Sequence, residues 1–380
     1  MNNKLFKLTV SQSNRSSVFR EIFDAVDISR QEIAEHLDLS LPTIRQPLNE
    51  LLEMGIIRED GFYESTGGRK PSAFSVSPMS RIAVGVEFLG EYIQLSAVNL
   101  RGEIVLEERH DLLFYRDEKY YEEFGTIVNN FVSELKVPSS SVLEILIAVQ
   151  GIVSVDGESI VMGKVLGNSG TKRTDFQKYI NYPCRLVNDT EAAAFAELWS
   201  NPETANAAYI LLNRNLGGSI IINGRVFNGR AVNNEVMNGG IIGHMRLVPG
   251  GKPCYCGKRG CFQTYCSVST LEEESGMDID SFMKSVNAND KKCLKIFDRY
   301  LSYLAFALNN MRNLMEYDFI IGGYLSEYLT DEHLEILSRK VQDEASFDNM
   351  SFIYRRSIHG ARAPSRGAAY REINDFILSI

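Results

Sequence analysis

Two stretches of this chain run through the same order of elements, and that repeat restricts the fold more than any other feature. Residues 81–87 (Arg-Ile-Ala-Val-Gly-Val-Glu) form an apolar run of strand character. A bend at Leu89-Gly90 follows, then a second strand over 92–98, and a turn at 99–102 opens a third from Glu103. The order recurs as 207–212, the bend Leu216-Gly217-Gly218, 219–222, the turn Asn223-Gly224, and 225–227. A period this long is not that of a solenoid. It predicts two α/β lobes of related fold facing a cleft, with the first glycine bend of each lobe placed to meet a ligand's phosphates. Helical periodicity is expected over 120–135, 190–199, 291–315 and 366–378.

The first 77 residues have a different pattern, and 380 residues leave room for two or three domains. Val18, Phe19, Ile22, Phe23 and Val26 fall at helical spacing. Ser29 with Glu32 is a capping box that opens a second helix carrying Ile33, Ala34 and Leu37. Ser40 caps a third, with Pro42 in its first turn and Leu41, Ile44, Leu48, Leu51 and Leu52 along one face. Gly55 is placed to close it. Two short strands, 56–63 and 73–76, flank the polar loop 64–71. Three helices followed by a two-stranded wing is the winged helix-turn-helix order. Thr43, Arg45 and Gln46 near the start of the third helix can reach base edges or phosphates, and Arg69 and Lys70 in the wing loop suit phosphates. Pro47 removes one backbone hydrogen bond inside that helix and is expected to kink it. A small helical cap or dimerisation module would share this pattern.

Net charge sets the terms for a nucleic-acid partner. The chain carries −9, from 40 basic and 49 acidic residues. Residues 1–77 hold 9 of the basic and 11 of the acidic ones, so no broad positive field supports tight non-specific DNA binding. A specific complex would rest on a few placed side chains. No apolar run approaches the roughly 20 residues of a bilayer span, and the N-terminus is a poor signal peptide. The expectation is a cytoplasmic protein with no membrane partner.

The sharpest chemical signal is His244-x9-Cys254-x-Cys256-x4-Cys261. One imidazole and three thiolates form a regular tetrahedral zinc set. With no coordination position left for water, the site would be structural. Cys266, Cys184 and Cys293 read as small buried hydrophobes.

Together these motifs resemble the ROK family (repressors, open reading frames and kinases), specifically its sugar-responsive transcriptional regulators. The resemblance implies an N-terminal winged helix-turn-helix plus a two-lobed α/β actin/hexokinase-like (ribonuclease H-like) ROK domain. It implies a winged domain over 1–77 and a first lobe over 78–195, completed by the C-terminal helix over 365–380. A second lobe over 196–364 would hold the zinc site and oligomerisation helices, in a homodimer or homotetramer. It places Asn188 and Asp189 on sugar hydroxyls, together with the free ring nitrogen of His244, Gln263 and Asn168. Capping the helix at 190 is the plain alternative for Asn188-Asp189, and compatible with it.

The chain departs from the kinase pattern of that family. Asp-x-Gly-Gly-Thr becomes Glu87-Phe88-Leu89-Gly90-Glu91, which puts an anion where a phosphate would lie. The second bend, 214–219, keeps part of its glycine run, and Gly322-Gly323 matches the adenosine side. No ATP binding and no catalysis are expected. Gly-Glu-x-Gly-His becomes Gly240-Ile241-Ile242-Gly243-His244, and Gly-Cys-x-Glu becomes Gly260-Cys261-Phe262-Gln263, so two carboxylates that grip sugar are missing. The expected function is a DNA-binding transcriptional regulator, a repressor, controlled by a sugar or sugar derivative. An ATP-dependent carbohydrate kinase with an N-terminal accessory domain and a ligand-independent regulator are the alternatives.

Overall fold

The structure is a computed structural model describing residues 14–62, 72–227, 231–232, 236–237, 241–314, 318–345 and 354–380. Arg69 and Lys70 lie outside the described residues. The chain opens with α1 (Asn14–Asp24), β1 (Ile28–Ser29), α2 (Arg30–His36), α3 (Leu41–Glu53), β2 (Ile57–Phe62) and β3 (Ser72–Val76). Each junction is fixed by local chemistry. Ser29 Oγ accepts from Glu32 N (3.2 Å) while Glu32 Oε2 accepts from Ser29 N (2.8 Å), the reciprocal cap expected from the sequence. Ser40 Oγ accepts from Thr43 N, and Gly55 follows the last turn of α3 at φ +69°, a left-handed position open to glycine. The apolar face of α1 stops short of Val26, because the helix ends at Asp24, and Val26 stands in solvent. Leu41, in the first turn of α3, is also exposed. The helix runs on through Pro47, whose ring is buried beside Ile44, Leu48 and Leu51.

The body holds two five-stranded sheets of identical topology. The first is built from β4 (Ile82–Phe88), β5 (Tyr92–Asn99) and β6 (Ile104–Asp111), then, after α4 (Glu118–Glu134), β7 (Val142–Val149), and, past the separate hairpin of β8 (Ile152–Val153) and β9 (Ile160–Met162) and helix α5 (Arg173–Gln177), β10 (Cys184–Asn188). Its order is β10-β7-β4-β5-β6, antiparallel over β4–β6 and parallel from β4 to β10. Helix α6 (Asp189–Ser200) leads to the second lobe.

There β11 (Ala207–Leu212), β12 (Leu216–Ile222) and β13 (Arg225–Phe227) precede the small hairpin β14 (Ala231–Val232) and β15 (Val236–Met237). Helices α7 (Gln263–Cys266), α8 (Val268–Ser275), α9 (Ile279–Asn287) and α10 (Lys291–Arg312) follow, then β16 (Asp318–Gly322), α11 (Asp331–Asp343), β17 (Tyr354–Arg356) and α12 (Ala363–Ser379). The second sheet runs β13-β12-β11-β16-β17. The repeat read from the sequence thus extends beyond its three antiparallel strands to the whole five-strand order.

The period-2 alternation of β4 explains how the first lobe is layered. Ile82, Val84, Val86 and Phe88 pack with Tyr120, Phe124, Val128 and Phe131 of α4. On the other face, Ala83 and Gly85 meet α12, where a Cβ on Gly85 would fall inside the carbonyl of Ser365. The C-terminal helix therefore completes the first lobe's packing. Between the sheets lies alanine-rich α6. Ala192 and Ala196 face α12, while Ala193, Ala194 and Leu198 pack on Tyr209 and Leu211 of the second sheet. The division expected at 195/196 falls inside this helix.

The winged domain is seated on this scaffold. Val18, Ile22, Ile57 and Val76 share one core with Leu100, Ile373 and Ile377. Arg101 donates to the carbonyls of Phe23 (2.8 Å) and Ala25 (2.9 Å), and Arg15 Nε donates to Ile380 O (2.8 Å). No helix among the described residues is long and apolar enough to cross a membrane.

Candidate functional site

A cavity of about 800 Å3 opens between the lobes. Its floor is the junction of β10 and α6. Asn188 ends the strand, and its Oδ1 accepts from Thr190 N (3.0 Å), Glu191 N (3.0 Å) and Thr190 Oγ1 (2.6 Å), capping α6. Its Nδ2 donates to Gly151 O (2.8 Å) and Asp189 Oδ1 (3.2 Å). Asn188 is thus the cap, and it steers Asp189. That carboxylate is nearly buried, and burial pushes its pKa up to about 7 against the opposing N–H bond from Thr190. Glu87, on the facing side of β4, is fully enclosed. Neither of its carboxylate oxygens has a hydrogen-bond partner among the described residues, and burial with the charge of Asp189 lifts it well above the carboxylate range. A charge on Asp189 therefore disfavours ionisation of Glu87.

The opposite wall carries the cysteine cluster. His244 ends a short 3-10 turn, Ile242–His244, and the loop bearing the cysteines folds back so that Arg246 bridges to Cys261 and Pro253 to Arg259. The ligand atoms of His244, Cys254, Cys256 and Cys261 all lie within 4.8 Å of one another. Cys254 Sγ is 3.6 Å from His244 Nδ1, and Cys256 Sγ is 3.7 Å from Cys261 Sγ. A tetrahedron with metal–sulfur bonds of about 2.3 Å has edges of about 3.8 Å. The four groups are therefore spaced to hold a metal ion. Burial holds the His244 imidazole below its usual pKa, which keeps it neutral and able to ligate. Burial raises the thiols of Cys254 and Cys261, the latter to about 12, so a cation at the centre would supply the charge that makes them thiolates. Tyr255 stands edge-on to the His244 ring at 5.2 Å. Cys266, by contrast, is buried against Tyr300 and outside the cluster, and Cys184 and Cys293 are buried alone.

Asn188, Asp189 and His244 line the cavity together. Asn168 and Gln263 stand behind the wall. Asn168 is wholly buried against Gly163 and donates weakly to Gln150 O (3.4 Å), and Gln263 Oε1 accepts from Leu216 N (3.4 Å). In the winged domain, Thr43, Arg45 and Gln46 are all exposed. Thr43 Oγ1 is 2.7 Å from Ser40 Oγ, and Gln46 Nε2 donates to Glu50 Oε1 (3.0 Å).

Two features escaped the sequence. Glu91 on the first bend and Arg214 on the second, in different lobes, form an ion pair at 2.5 Å. The cavity also has an apolar flank from the β8–β9 hairpin, which carries no motif. The only hint of it was the unusual run Ile160-Val161-Met162 among polar turn residues.

This architecture defines a class: a winged helix-turn-helix module carried on a two-lobed body with a ligand cleft and a His/Cys cluster at its edge. The sequence pattern of the ROK family matches residues 83–371, and that of winged helix-turn-helix DNA-binding domains matches residues 15–58. The chain belongs to the ROK family. It is similar to the xylose repressor of Bacillus subtilis (strain 168), at 23% identity over 379 residues covering 97% of each chain. Among solved structures, it resembles a ROK family transcriptional regulator described as a homolog of the E. coli MLC protein. The TM-score is 0.77 at 19% identity, covering 96% of this chain and 97% of that one. A ROK family glucokinase from Streptomyces griseus, in complex with glucose and AMPPNP, matches at a TM-score of 0.68 and 19% identity, covering 77% and 99%.

Proposed function

We propose that this protein is a sugar-responsive DNA-binding repressor. The observation that carries the reading is one fusion: a winged domain with Thr43, Arg45 and Gln46 exposed at the start of α3, joined to a ROK cleft that keeps Asn188, Asp189 and His244. Arg45 and its neighbours would enter the major groove, with Arg69 and Lys70 on flanking phosphates. In the cleft, Asp189 accepts a sugar hydroxyl, Asn188 fixes its orientation, and the ring nitrogen of His244 not facing the cysteines offers a second polar contact. Asn168 and Gln263 act from behind the wall, as positioning residues.

Zinc is the metal that suits one neutral imidazole and three thiolates. With four protein ligands its role is structural, holding the loop that carries His244 at the cavity. The protein residues do no phosphoryl transfer in this reading. Glu91 lies where the first bend would cradle phosphate, and its pair with Arg214 ties up the second bend. The repressor names of relatives such as the Bacillus subtilis protein agree with a regulator and not a kinase.

Coupling between the two sites follows α6 and α12. Asp189 and Arg371 both line the cavity, Trp199 near the end of α6 stacks on Tyr370, the neighbour of Arg371, at 5.3 Å, and at the end of α12 Ile380 O accepts from Arg15 of the winged domain. A ligand that favours one lobe arrangement would thereby bias the winged domains of a cytoplasmic homo-oligomer. A mobility-shift assay with DNA upstream of the protein's own gene tests the reading. A discrete complex that sugar dissolves is the expected result. Absence of any complex at low salt would overturn it.

A further inference from the structure

Away from Asn188, Asp189 and His244, one flank of the cavity is largely apolar. Its apolar lining comes from Ile152, Val153, Val155, Met162, Val165 and Ile241, with Ser154 as a polar neighbour. Val155, Met162 and Ile241 are 46%, 48% and 45% exposed, and Tyr255 beside them is 41% exposed. Apolar side chains scattered singly over a surface need no explanation. Several converging on one concave site mark a binding surface. In the ROK pattern that the sequence resembles, Ile241 stands in place of a glutamate. The volume, about 800 Å3, lies in the upper part of the roughly 300–1,000 Å3 range of sites that enclose drug-sized ligands. One free monosaccharide would leave much of it unfilled.

Five cations among the described residues line the cavity, and three of them, Lys164, Arg185 and Arg371, are engaged by protein groups; Arg246 and Lys258 are the other two. Lys164 Nζ donates to Cys256 O (3.4 Å), placing it against the cysteine cluster, whose thiolates need balancing charge. Arg371 pairs with Glu191, and Arg185 with Glu144, Glu372 and Asp375.

We infer that the effector is a sugar bearing an apolar substituent, such as an alkyl or aryl glycoside. Its polyol end lies at Asp189 and His244, and its apolar group lies against Val155, Met162 and Ile241. The inference rests on the sugar-responsive reading above and specifies its ligand. A substituent that fills the apolar flank removes that surface from water, which a free sugar cannot do.

The test is calorimetric titration of the full-length, metal-loaded protein. Ligands are D-xylose and D-glucose, the phenyl α- and β-glycosides of each, and glucose 6-phosphate. At least one phenyl glycoside should bind about tenfold or more tighter than its parent sugar. In Met162→Ser and Val155→Ser that advantage should shrink to about twofold or less, with the affinity for the parent sugar kept. Both positions are about half exposed, so neither change threatens the fold. Parent sugar and glycosides binding alike, or the phosphate binding best, would overturn the inference and leave the sugar-responsive reading standing. No binding by any of them at millimolar concentration would remove both.

Discussion

Replacing Asp189 by asparagine should stabilise the protein, by an amount that grows with pH. The side chain is 6% exposed, and burial raises its carboxyl to about 7. In the unfolded chain an aspartate titrates near 3.9. Between those values the folded protein holds a proton that the unfolded chain has released. Stability therefore falls as pH rises from about 4 to about 7, and the full penalty is present above that. A separation of about three units is worth about 4 kcal/mol. Asparagine keeps an oxygen for the Thr190 N–H and carries no charge. The variant should exceed the parent by roughly 1.5 kcal/mol at pH 5 and roughly 4 kcal/mol at pH 8. Removing the charge also relieves Glu87, whose ionisation Asp189 opposes, which acts in the same direction. Urea denaturation at pH 5, 6, 7 and 8 at fixed ionic strength measures the difference. An advantage that stays flat across this range, or a variant less stable at pH 8, would refute the reasoning. A buried carboxylate retained at such cost is expected where it contacts a ligand.

Three further outcomes follow from the same geometry. Cys254→Ser should abolish zinc uptake by the cluster, read by metal analysis of protein supplied with zinc, and lower the thermal midpoint together with sugar affinity, since His244 shares the site. Glu197, with no exposed side-chain surface, accepts from Arg355 (2.5 Å), Ser357 Oγ (2.5 Å) and Ile358 N (3.1 Å), tying α6 to the segment leading into α12. Glu197→Ala should cost about 3–5 kcal/mol in chemical denaturation by stranding Arg355, and Glu197→Gln distinctly less. Arg45→Ala should weaken operator binding by about 1–3 kcal/mol in fluorescence anisotropy, with relaxed specificity at one base pair, and leave sugar binding unchanged.

The sequence carried the parts of this molecule that depend on local pattern. Ser29 with Glu32 and Ser40 ahead of Pro42 marked two helix starts because capping is decided within four residues. The strand–glycine–strand repeat marked both lobes, and the His/Cys spacing placed four ligands that the fold does bring together. Other features depend on contacts between distant segments, and periodicity is silent on those. Val26 has the right spacing for the apolar face of α1 but follows the helix end, so it points to water. The packing of α12 on Gly85, the Glu91–Arg214 pair and the unpartnered carboxyl of Glu87 each join segments more than 100 residues apart or depend on depth of burial. The apolar flank comes from a two-residue and a three-residue strand, too short to show a period. Asn168 and Gln263 were read by position in a pattern, which does not tell a wall from the layer behind it.

The central claim is that a ligand in this cleft governs DNA binding by the winged domain. Fluorescence anisotropy of a labelled fragment from upstream of the gene, titrated with full-length protein near physiological salt, tests it most directly. The account predicts tighter binding than to scrambled DNA, by a factor of about 10³ or more. A sugar or glycoside that binds the wild-type cleft should release the fragment, and the same ligand should have little effect on the Asp189→Asn protein. Equal affinity for upstream and scrambled DNA, or release that persists unchanged in Asp189→Asn, would contradict it.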